Sequence, residues 1–500
     1  MNRKILTIGI LGLAMTLVAS CTDLDETLYD KVKSDDYGKT PSEVETIVGG
    51  AYSSLRGVSE DGVHAYAPSE FVFFLNETVS DEACIPTRGE NWKDGGRYQE
   101  AQRHTWTAGN LLFQSAWKYA YQGINRINGI IYQVSLTNLS DESKEKIFAE
   151  LRGLRAYYYY LLLDWFGNVP LVTRFGAAES PANSTRAQVY EFVESELLDV
   201  MDLLPSEIVY GRFTQNVGHM LLARLYINSE VFIGTARWQD CISECEKVAG
   251  YHLEGNYFTN FLTENQVSGE NIFVIPYDHK AGTIGNYMNS MSLHYNQRQA
   301  FSGPWQWSGN GMCAQPGVYS KFDDNDIRKK SMLAGPQYVY GTTNVILMSN
   351  GDELNYTESI ENFVDAKENE GVRLYKYEVK ADEEWERDHD LVVMRYAEVL
   401  MMQAECYVRL GYPETARPFV EQIRIRAGLD TPSTIDLDFL DEEYLKEFIF
   451  EGTRRTVNIR FGTYFEPWWE KGATPAYRGI FPIPQAELDK NPNLHQNFGY

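Results

Sequence analysis

The sequence predicts a mainly α-helical protein, built from degenerate pairs of helices, with a loop-rich irregular face that carries short strands. Two observations predict this class. Apolar residues recur at intervals of three and four, mainly within residues 41–250 and 392–430, and this spacing places them on one face of an α-helix. The segments mainly covering residues 59–106 and 260–390 have weak periodicity, and loops this long in a compact protein are usually functional. We therefore expect helices to form the scaffold and loops to hold the site.

The composition is that of a folded protein with an acidic surface. Of the 500 residues, 43% are hydrophobic and 23% are charged, and the formal net charge is −25. Because nucleic acids bind to basic surfaces, a nucleic-acid partner is excluded. The 33 Tyr, 24 Phe and 10 Trp residues are more than a core of this size usually needs, so we expect some of them to face a ligand.

Helix signals follow in order along the first half of the chain. Thr40 is a natural N-cap before a proline, and the apolar spacing predicts a helix over residues 41–56. Thr185 and Gln188 form a capping box at the start of another helix, which runs to Pro205. The same spacing predicts further helices over residues 109–132, 145–166, 216–231 and 238–249.

A clear helical pair lies over residues 392–410 and 413–427. Ala404, Gly411 and Ala416 follow an order like that of tetratricopeptide repeats, in which small residues let neighbouring helices approach closely. A strict repeat period is absent from the chain. The pairs are therefore tetratricopeptide-like but degenerate, and we expect one domain with insertions rather than a regular solenoid.

The first twenty residues have the pattern of a signal peptide. Arg3 and Lys4 precede the apolar residues 5–18, a stretch of about fourteen residues that is too short to span a membrane. Small residues then lead directly to Cys21, as in the lipobox of a bacterial lipoprotein. We expect removal of residues 1–20 and lipidation of Cys21; an ordinary secretory peptide ending near a cysteine is the alternative.

Three acidic residues follow the predicted lipidation site. Asp23, Asp25 and Glu26 resemble the surface-export signal of Bacteroidetes lipoproteins. The expected location is therefore the outer membrane, with the protein anchored through lipid on Cys21 and facing the cell exterior. The mature chain, residues 21–500, is expected to be the single domain.

Motifs in order along the chain resemble the SusD/RagB family. Residues 392–405, VVMRYAEVLMMQAE, look like the RYAE helix of that family. Residues 151–172, which include FGNVP, resemble its central helix and turn. Further matches are IRIRAGL from Ile423, FEGTRR from Phe450, FPIP from Phe481 and NPNLHQNFGY from Asn491. One departure is Asn458, where the family commonly has an Asp after its paired arginines.

The resemblance implies a fold and a function. It implies a tetratricopeptide-like helical scaffold beside an irregular, loop-rich face. It also implies a surface lipoprotein that covers a SusC-like TonB-dependent transporter and captures a glycan for import. Some members of the family carry a structural calcium ion, but the sequence contains no twelve-residue acidic loop of the kind that binds calcium.

The first half of a candidate glycan site lies around Trp92. Sugar rings pack their C–H groups against flat aromatic faces, while their hydroxyl groups need polar partners at the edge. Trp92 lies among Arg88, Asn91 and Asp94 on a glycine-rich stretch, and this combination is typical of sugar binding. Packing of Trp92 onto the helices is the competing interpretation.

The second half is predicted from Tyr295 through Trp307. Trp305 and Trp307 lie two residues apart, so both indoles project to one side if the segment is extended. We expect at least one of the two indoles to be a binding platform. The other belongs either to the site or to the core, and the same two roles are open for Tyr295. The acidic surface favours a neutral oligo- or polysaccharide, although a local basic pocket around Arg88 or Arg97 would override the net charge.

Signals of catalysis, cofactors and metals are weak. The sequence contains no His-Glu-x-x-His, no Walker-type phosphate loop and no Gly-x-Ser-x-Gly. Residues 309–314 match the dinucleotide fingerprint by letters alone, without the required preceding strand. Cys241 and Cys245 lie one helical turn apart without a second ligand pair, which favours helix packing over zinc. The five cysteines after Cys21 are an odd number, and no disulfide framework is predicted.

The leading hypothesis is a non-catalytic, glycan-binding surface lipoprotein without a cofactor. The second is a structural or adaptor lipoprotein of an outer-membrane complex, which would bind its transporter but no sugar. The third is a surface glycosidase, which would need two carboxylates at a fixed separation. Seventy acidic residues make some such pair inevitable, so their abundance favours none of the three.

Overall fold

The computed structural model describes residues 40–57, 72–177, 180–278, 286, 288–303, 308–379 and 388–500. Within these ranges it has fifteen α-helices and eight short strands, so the predicted mainly α fold is confirmed. Cys21 and the predicted signal peptide lie outside the described residues, as do Trp305 and Trp307. No helix in the described ranges is both long and apolar enough to cross a membrane.

The helices carry most of the chain. In order they are α1 (Pro41–Ser53), α2 (Phe73–Thr78), α3 (Arg97–Arg103), α4 (Leu111–Ser135), α5 (Asp141–Trp165), α6 (Arg186–Val200), α7 (Gln215–Ile227), α8 (Ser229–Ile233), α9 (Trp238–Cys245), α10 (Met288–Ser292), α11 (Tyr396–Arg409), α12 (Pro413–Ala427), α13 (Leu437–Glu447), α14 (Arg454–Phe461) and α15 (Gln485–Lys490). The strands are β1 (Ala83–Cys84), β2 (Asn271–Ile275), β3 (Cys313–Ala314), β4 (Met332–Leu333), β5 (Gly335–Pro336), β6 (Asn355–Tyr356), β7 (Arg373–Leu374) and β8 (Leu391–Arg395).

Local signals in the sequence define several helix ends. Thr40 accepts a hydrogen bond from the N–H of Glu43 at 3.3 Å, and the Glu43 carboxylate accepts one from the N–H of Thr40 at 2.9 Å. The capping box predicted at Thr185 and Gln188 is also present at the start of α6. These reciprocal bonds satisfy N–H groups that the first turn of a helix leaves without partners.

The long helices α4 and α5 form the central pair of the scaffold. They are joined by a short connection, and their residues pack into one hydrophobic core. Gly123 of α4 lies against the ring of Tyr158, where an added Cβ would come within 2.2 Å of the ring. Only glycine allows this approach, so Gly123 sets the spacing of the pair.

Two predicted helices differ from the structure in kind, and two others, predicted to run to Pro205 and over residues 238–249, end earlier, at Val200 and Cys245. Residues 392–395 belong to strand β8, which pairs antiparallel with β2, and the helix begins only at Tyr396. The two adjacent valines favour a strand, and the pairing with β2 is a long-range contact that local periodicity does not reveal. Residues 216–231 form two helices, α7 and α8, separated at Asn228, whose ψ of 1° is not helical.

A four-stranded antiparallel sheet joins distant parts of the chain. Its strand order is β1-β3-β7-β4, and each strand has only two residues. Cys84 of β1 lies opposite Cys313 of β3, and Cys313 lies opposite Arg373 of β7. The sheet therefore brings the segment after residue 84 next to the segment before residue 313, and these are the two halves of the predicted site.

Charged residues from five segments of the chain form a buried network, which we call the ionic cluster. Its members are Glu270, Arg328, Arg395, Arg426, Glu443, Glu447 and Glu451, whose side chains are at most 6% exposed. Arg395 contacts Glu270 at 2.8 Å, Glu447 at 2.6 Å and Glu451 at 2.7 Å. The family-like motifs supply Arg395, Arg426 and Glu451, so these motif residues hold the scaffold together.

The departure at Asn458 does not remove the neighbouring ion pairs. Arg454 contacts Asp81 at 2.6 Å and Asp441 at 2.7 Å. The amide of Asn458 donates a hydrogen bond to the Thr463 hydroxyl at 3.0 Å. The C-terminal helices are thus tied to the segment before β1 by charge pairs that do not involve residue 458.

Candidate binding site

The predicted first half of the site is a tight loop that follows β1. Arg88 and Asn91 exchange two backbone hydrogen bonds, each 3.0 Å long. The backbone then passes through the left-handed region at Trp92, with φ of 62°, and at Asp94, with φ of 39°. This conformation is costly for residues other than glycine and persists where surrounding contacts fix it. The loop is therefore held in one shape that presents its side chains in a fixed direction.

Arg88 lies beneath this loop and is buried, with 4% of its surface exposed. Its guanidinium donates to the carbonyl oxygens of Asn310 at 2.9 Å and Glu370 at 2.7 Å, and also to that of Lys367. Burial, together with the charge of Arg373, lowers the pKa of Arg88 to about 10. The sequence predicted a direct ligand contact, whereas the structure gives Arg88 the role of joining three loop segments from below.

Trp92 combines the two roles that the sequence left open. Its indole N–H donates to the Gly309 carbonyl at 2.7 Å, and its ring meets those of Phe74 and Tyr98 edge to face. An added Cβ at Gly311 would come within 2.4 Å of the indole. The side chain is nevertheless only half-buried. Trp92 is thus anchored along one edge while part of its surface remains available to a ligand.

The polar neighbours of Trp92 lie at the surface. Asn91 and Asp94 are both exposed. The Asp94 carboxylate forms an ion pair with Arg97, and Lys93 pairs with Glu90 at 2.6 Å. An exposed amide and an exposed carboxylate beside a half-buried indole provide the donors and acceptors that sugar hydroxyl groups require.

Tyr295 lies next to the Trp92 loop, although it is far away in sequence. It is half-buried. Burial raises its pKa, while the nearby charges of Arg88 and Arg373 lower it in part. The structure therefore places Tyr295 near Arg88 and Asn91, which belong to the first half of the predicted site.

Trp305 and Trp307 lie outside the described residues, so their predicted role remains an expectation. The residues directly after them are described and run along the Trp92 loop. Gly309 accepts the indole hydrogen bond of Trp92, and its N–H donates to the Ser290 carbonyl at 2.6 Å. Asn310 accepts from Arg88 at 2.9 Å. The segment that follows the two tryptophans is therefore fixed against the first half of the site.

Sequence reasoning missed two parts of this face. Residues 367–370 supply carbonyl oxygens to Arg88, and Glu368 contacts His294 at 3.0 Å. Tyr338 and Tyr340, 48% and 62% exposed, lie beyond β5, and the N–H of Tyr340 donates to the Gln299 carbonyl. The available signal in the sequence was the presence of these two tyrosines in a segment without periodicity. The segment 367–370 has no such signal, because its role depends on backbone atoms.

The site is a surface platform, and the neighbouring cavities do not include it. A cleft of about 490 Å³ lies between α4 and α15, with Trp117 and Tyr121 in its wall. Two smaller cavities, of about 90 and 110 Å³, lie among buried helices. None of these three is lined by Trp92 or Tyr295. An open surface admits a chain longer than the site itself.

Comparisons with known proteins agree with this fold. The model of the SusD family matches residues 250–500, and a second model, described as starch-binding associating with outer membrane, matches residues 63–227. The starch-binding protein SusD of Bacteroides thetaiotaomicron is 25% identical over 479 residues, covering 86% of this chain and 85% of that protein. SusD-like protein P2 of Formosa agariphila is 24% identical over 524 residues, covering 97% of each chain.

Solved structures have the same fold. A laminarin binding SusD-like protein superimposes with a TM-score of 0.74 at 21% identity, covering 92% of this chain and all of the other. Surface glycan-binding protein A from Bacteroides thetaiotaomicron, in complex with laminarihexaose, gives 0.73 at 22% identity, with 92% and 100% covered. The predicted helical scaffold with an irregular face is thereby confirmed.

Proposed function

Since the chain belongs to the SusD family, we propose that it is a cell-surface protein that captures an oligo- or polysaccharide and passes it to a SusC-like TonB-dependent transporter. One observation carries the proposal. The loop of Trp92 contacts the residues that directly follow the second predicted segment, through the hydrogen bond from Trp92 to Gly309 and that from Arg88 to Asn310. The starch-binding and laminarihexaose-bound relatives support the same class of ligand.

The geometry suits reversible capture. Trp92 offers an aromatic surface for the C–H groups of a sugar ring, and Asn91 and Asp94 offer polar groups at its edge. Tyr295, Trp305 and Trp307 complete the proposed platform, and Arg88 positions it from below. The proposed role is non-catalytic, since binding and release form and break no covalent bond. It requires no cofactor.

The proposed ligand is a neutral glycan. The net charge of −25 repels polyanionic chains. Of the two arginines that would have offset this charge, Arg88 is buried with its donors on carbonyl oxygens, and Arg97 forms an ion pair with Asp94. Capture at the cell surface and attachment to the outer membrane through lipid on Cys21 form part of the same proposal.

The test is calorimetry of the purified protein against a panel of polysaccharides that includes starch and laminarin. We expect one neutral glycan to bind, and Trp92→Ala to weaken that binding about five- to tenfold, since packing against an aromatic ring contributes on the order of 1–1.5 kcal/mol. The matched control is Tyr412→Ala, an exposed aromatic at the turn between α11 and α12, which should leave affinity unchanged.

Two results would overturn the proposal. Absence of binding across the whole panel would favour the adaptor hypothesis. Release of reducing ends from a panel glycan would favour the glycosidase hypothesis. Folding of each variant is checked by its thermal transition, so that a loss of affinity is assigned to the removed ring.

A further inference from the structure

Two cysteines face each other in the four-stranded sheet beneath the platform. Cys84 of β1 and Cys313 of β3 are direct partners across an antiparallel pair, and their Sγ atoms lie 3.7 Å apart. Both side chains are completely buried. Cys241, Cys245 and Cys406 lie instead in the helical core, around α7, α9 and α11.

The backbone at this pair has the spacing that a disulfide requires. The N–H of Gln315 donates to the carbonyl of Glu82 at 2.9 Å, two residues along each strand from the cysteines. Hydrogen-bonded pairs alternate along an antiparallel ladder, so Cys84 and Cys313 are also such a pair, with Cα atoms about 5.5 Å apart. Bridged cysteines have Cα separations of roughly 4.4–6.8 Å. Rotation of the side chains therefore suffices to join the sulfur atoms.

The pair also lies at a position where a bond would matter. Arg88, at the start of the Trp92 loop, follows β1 closely, and its Nη2 lies 3.8 Å from the Cys313 sulfur. The segment 309–311, which holds Trp92, directly precedes β3. The two cysteines thus stand at the bases of both halves of the platform, and each strand consists of only two residues.

We propose that Cys84 and Cys313 form a disulfide bond in the exported protein, joining the two segments that carry the platform. The inference rests on the proposed cell-surface location, because disulfides persist in oxidising compartments. One thiolate attacks the disulfide of a protein thiol oxidase and forms a mixed disulfide, and the second then displaces the oxidase. Two electrons and two protons pass from the cysteines, which become the disulfide, to the oxidase, which leaves as a dithiol.

The exchange occurs while the chain is folding. Both sulfur atoms are inaccessible in the folded protein, so the oxidase acts before the sheet is covered. The finished bond is buried and resists reductants until the protein unfolds. Three cysteines then remain as thiols in the helical core, which agrees with the absence of a wider disulfide framework.

The competing state is a reduced pair. Burial raises the pKa of Cys313, but a hydrogen bond from Cys84 and the charges of Arg88 and Arg373 lower it overall to about 6. A reduced pair would therefore hold a thiolate beside Arg88. The two states differ in mass and in reactivity towards alkylating agents, so one experiment separates them.

The test is peptide mapping of the full mature chain after export to the bacterial periplasm. The protein is denatured in excess iodoacetamide without reductant, digested and analysed by mass spectrometry. We expect the peptides containing Cys84 and Cys313 to be linked, and Cys241, Cys245 and Cys406 to be alkylated. Alkylation of all five cysteines would overturn the proposal.

A second measurement uses thermal unfolding. The protein is unfolded, treated with a reductant and refolded in its presence. The midpoint of its thermal transition should then be lower by about 4 °C, because the bond constrains a long loop of the unfolded chain. The double variant with Cys84→Ser and Cys313→Ser should not respond to reductant, whereas Cys241→Ser should respond like the wild type. If the wild type, the double variant and the Cys241→Ser variant are all insensitive to the reductant, the proposed bond is contradicted.

Glycan titration of the same samples keeps the two proposals apart. A linked pair without glycan binding refutes only the proposed function. Glycan binding with five alkylated cysteines refutes only the disulfide.

Discussion

The ionic cluster and the Trp92 platform are built in opposite ways. In the ionic cluster, charged groups are sealed from water and paired at short distances, as Arg395 of β8 is with Glu270, Glu447 and Glu451. In the platform, a loop on two-residue strands holds Trp92 in a left-handed conformation and half-exposed. The residues that carry the family resemblance are therefore folding residues, and those that would touch a ligand lie in segments without periodicity.

Breaking the ionic cluster should have the largest effect. Arg395→Ala leaves Glu270, Glu447 and Glu451 buried with fewer partners, and removal of one member of a buried charge network costs about 3–5 kcal/mol. Urea unfolding should show this loss, while the protein that remains folded should bind glycan with unchanged affinity. The control is Lys146→Ala, which breaks an exposed pair with Glu142 and should cost less than about 0.5 kcal/mol. Equal effects of the two variants would contradict the comparison.

A buried pair of carboxyl groups at the junction of the two regions should make stability depend on pH. Burial raises the pKa of Glu77 to about 7, and burial together with the charge of Glu77 raises that of Glu82. Glu82 lies directly before β1 and accepts a hydrogen bond from the N–H of Phe450, in the FEGTRR motif. Because both folded-state pKa values lie above the unfolded ones, the folded state binds the extra protons.

The contribution of these carboxyl groups to stability is therefore present below about pH 4.5 and is lost as the pH rises through 7. Glu82→Gln, which keeps the acceptor for Phe450, should raise the free energy of unfolding at pH 8 and leave it nearly unchanged at pH 4. Urea unfolding at the two pH values measures the difference. The same gain at both values would show that the carboxyl groups do not titrate in this window.

A substitution that alters the packing around Trp92 should have a smaller effect. Gly311→Ala places a methyl group within 2.4 Å of the Trp92 ring, and overpacking of this kind costs about 1–3 kcal/mol. The indole must move, so we expect calorimetry to show glycan affinity about tenfold lower. Gly472→Ala is the control, since no atom lies within 4 Å of its added Cβ. Unchanged affinity of the Gly311 variant would mean that the position of Trp92 is not important for binding.

The smallest effect is expected at the rim of the platform. Lys93 lies next to Trp92 but forms only an exposed pair with Glu90. Lys93→Ala should change stability by less than about 0.5 kcal/mol and affinity less than about twofold, as measured by the same titration. A large loss of affinity would show that charge, rather than the aromatic surface, controls capture.

Local signals predicted much of the scaffold. The helix over residues 413–427 has the predicted bounds, and the capping box of Thr185 and Gln188 is formed as expected. Both depend on neighbours within a few residues. Strand β8 was missed because it depends on pairing with β2, more than a hundred residues earlier, and that pairing leaves no local trace.

The platform could be predicted only in part. The type of residue pointed to Trp92 and Tyr295. The meeting of the Trp92 loop with residues 309–311, however, depends on the pairing of β1 with β3, and two residues are too few to show a strand period. The burial of Arg88 could not be predicted either. Its partners are backbone carbonyl groups of Asn310, Lys367 and Glu370, and any residue type can supply a carbonyl group.

Hydrogen–deuterium exchange of the full chain, with and without a saturating neutral glycan from the panel, maps the binding surface directly. We expect slower exchange in the Trp92 loop and in residues 308–311, with no change in the cleft between α4 and α15. Protection of that cleft, with the Trp92 loop unaffected, would contradict a glycan site at Trp92.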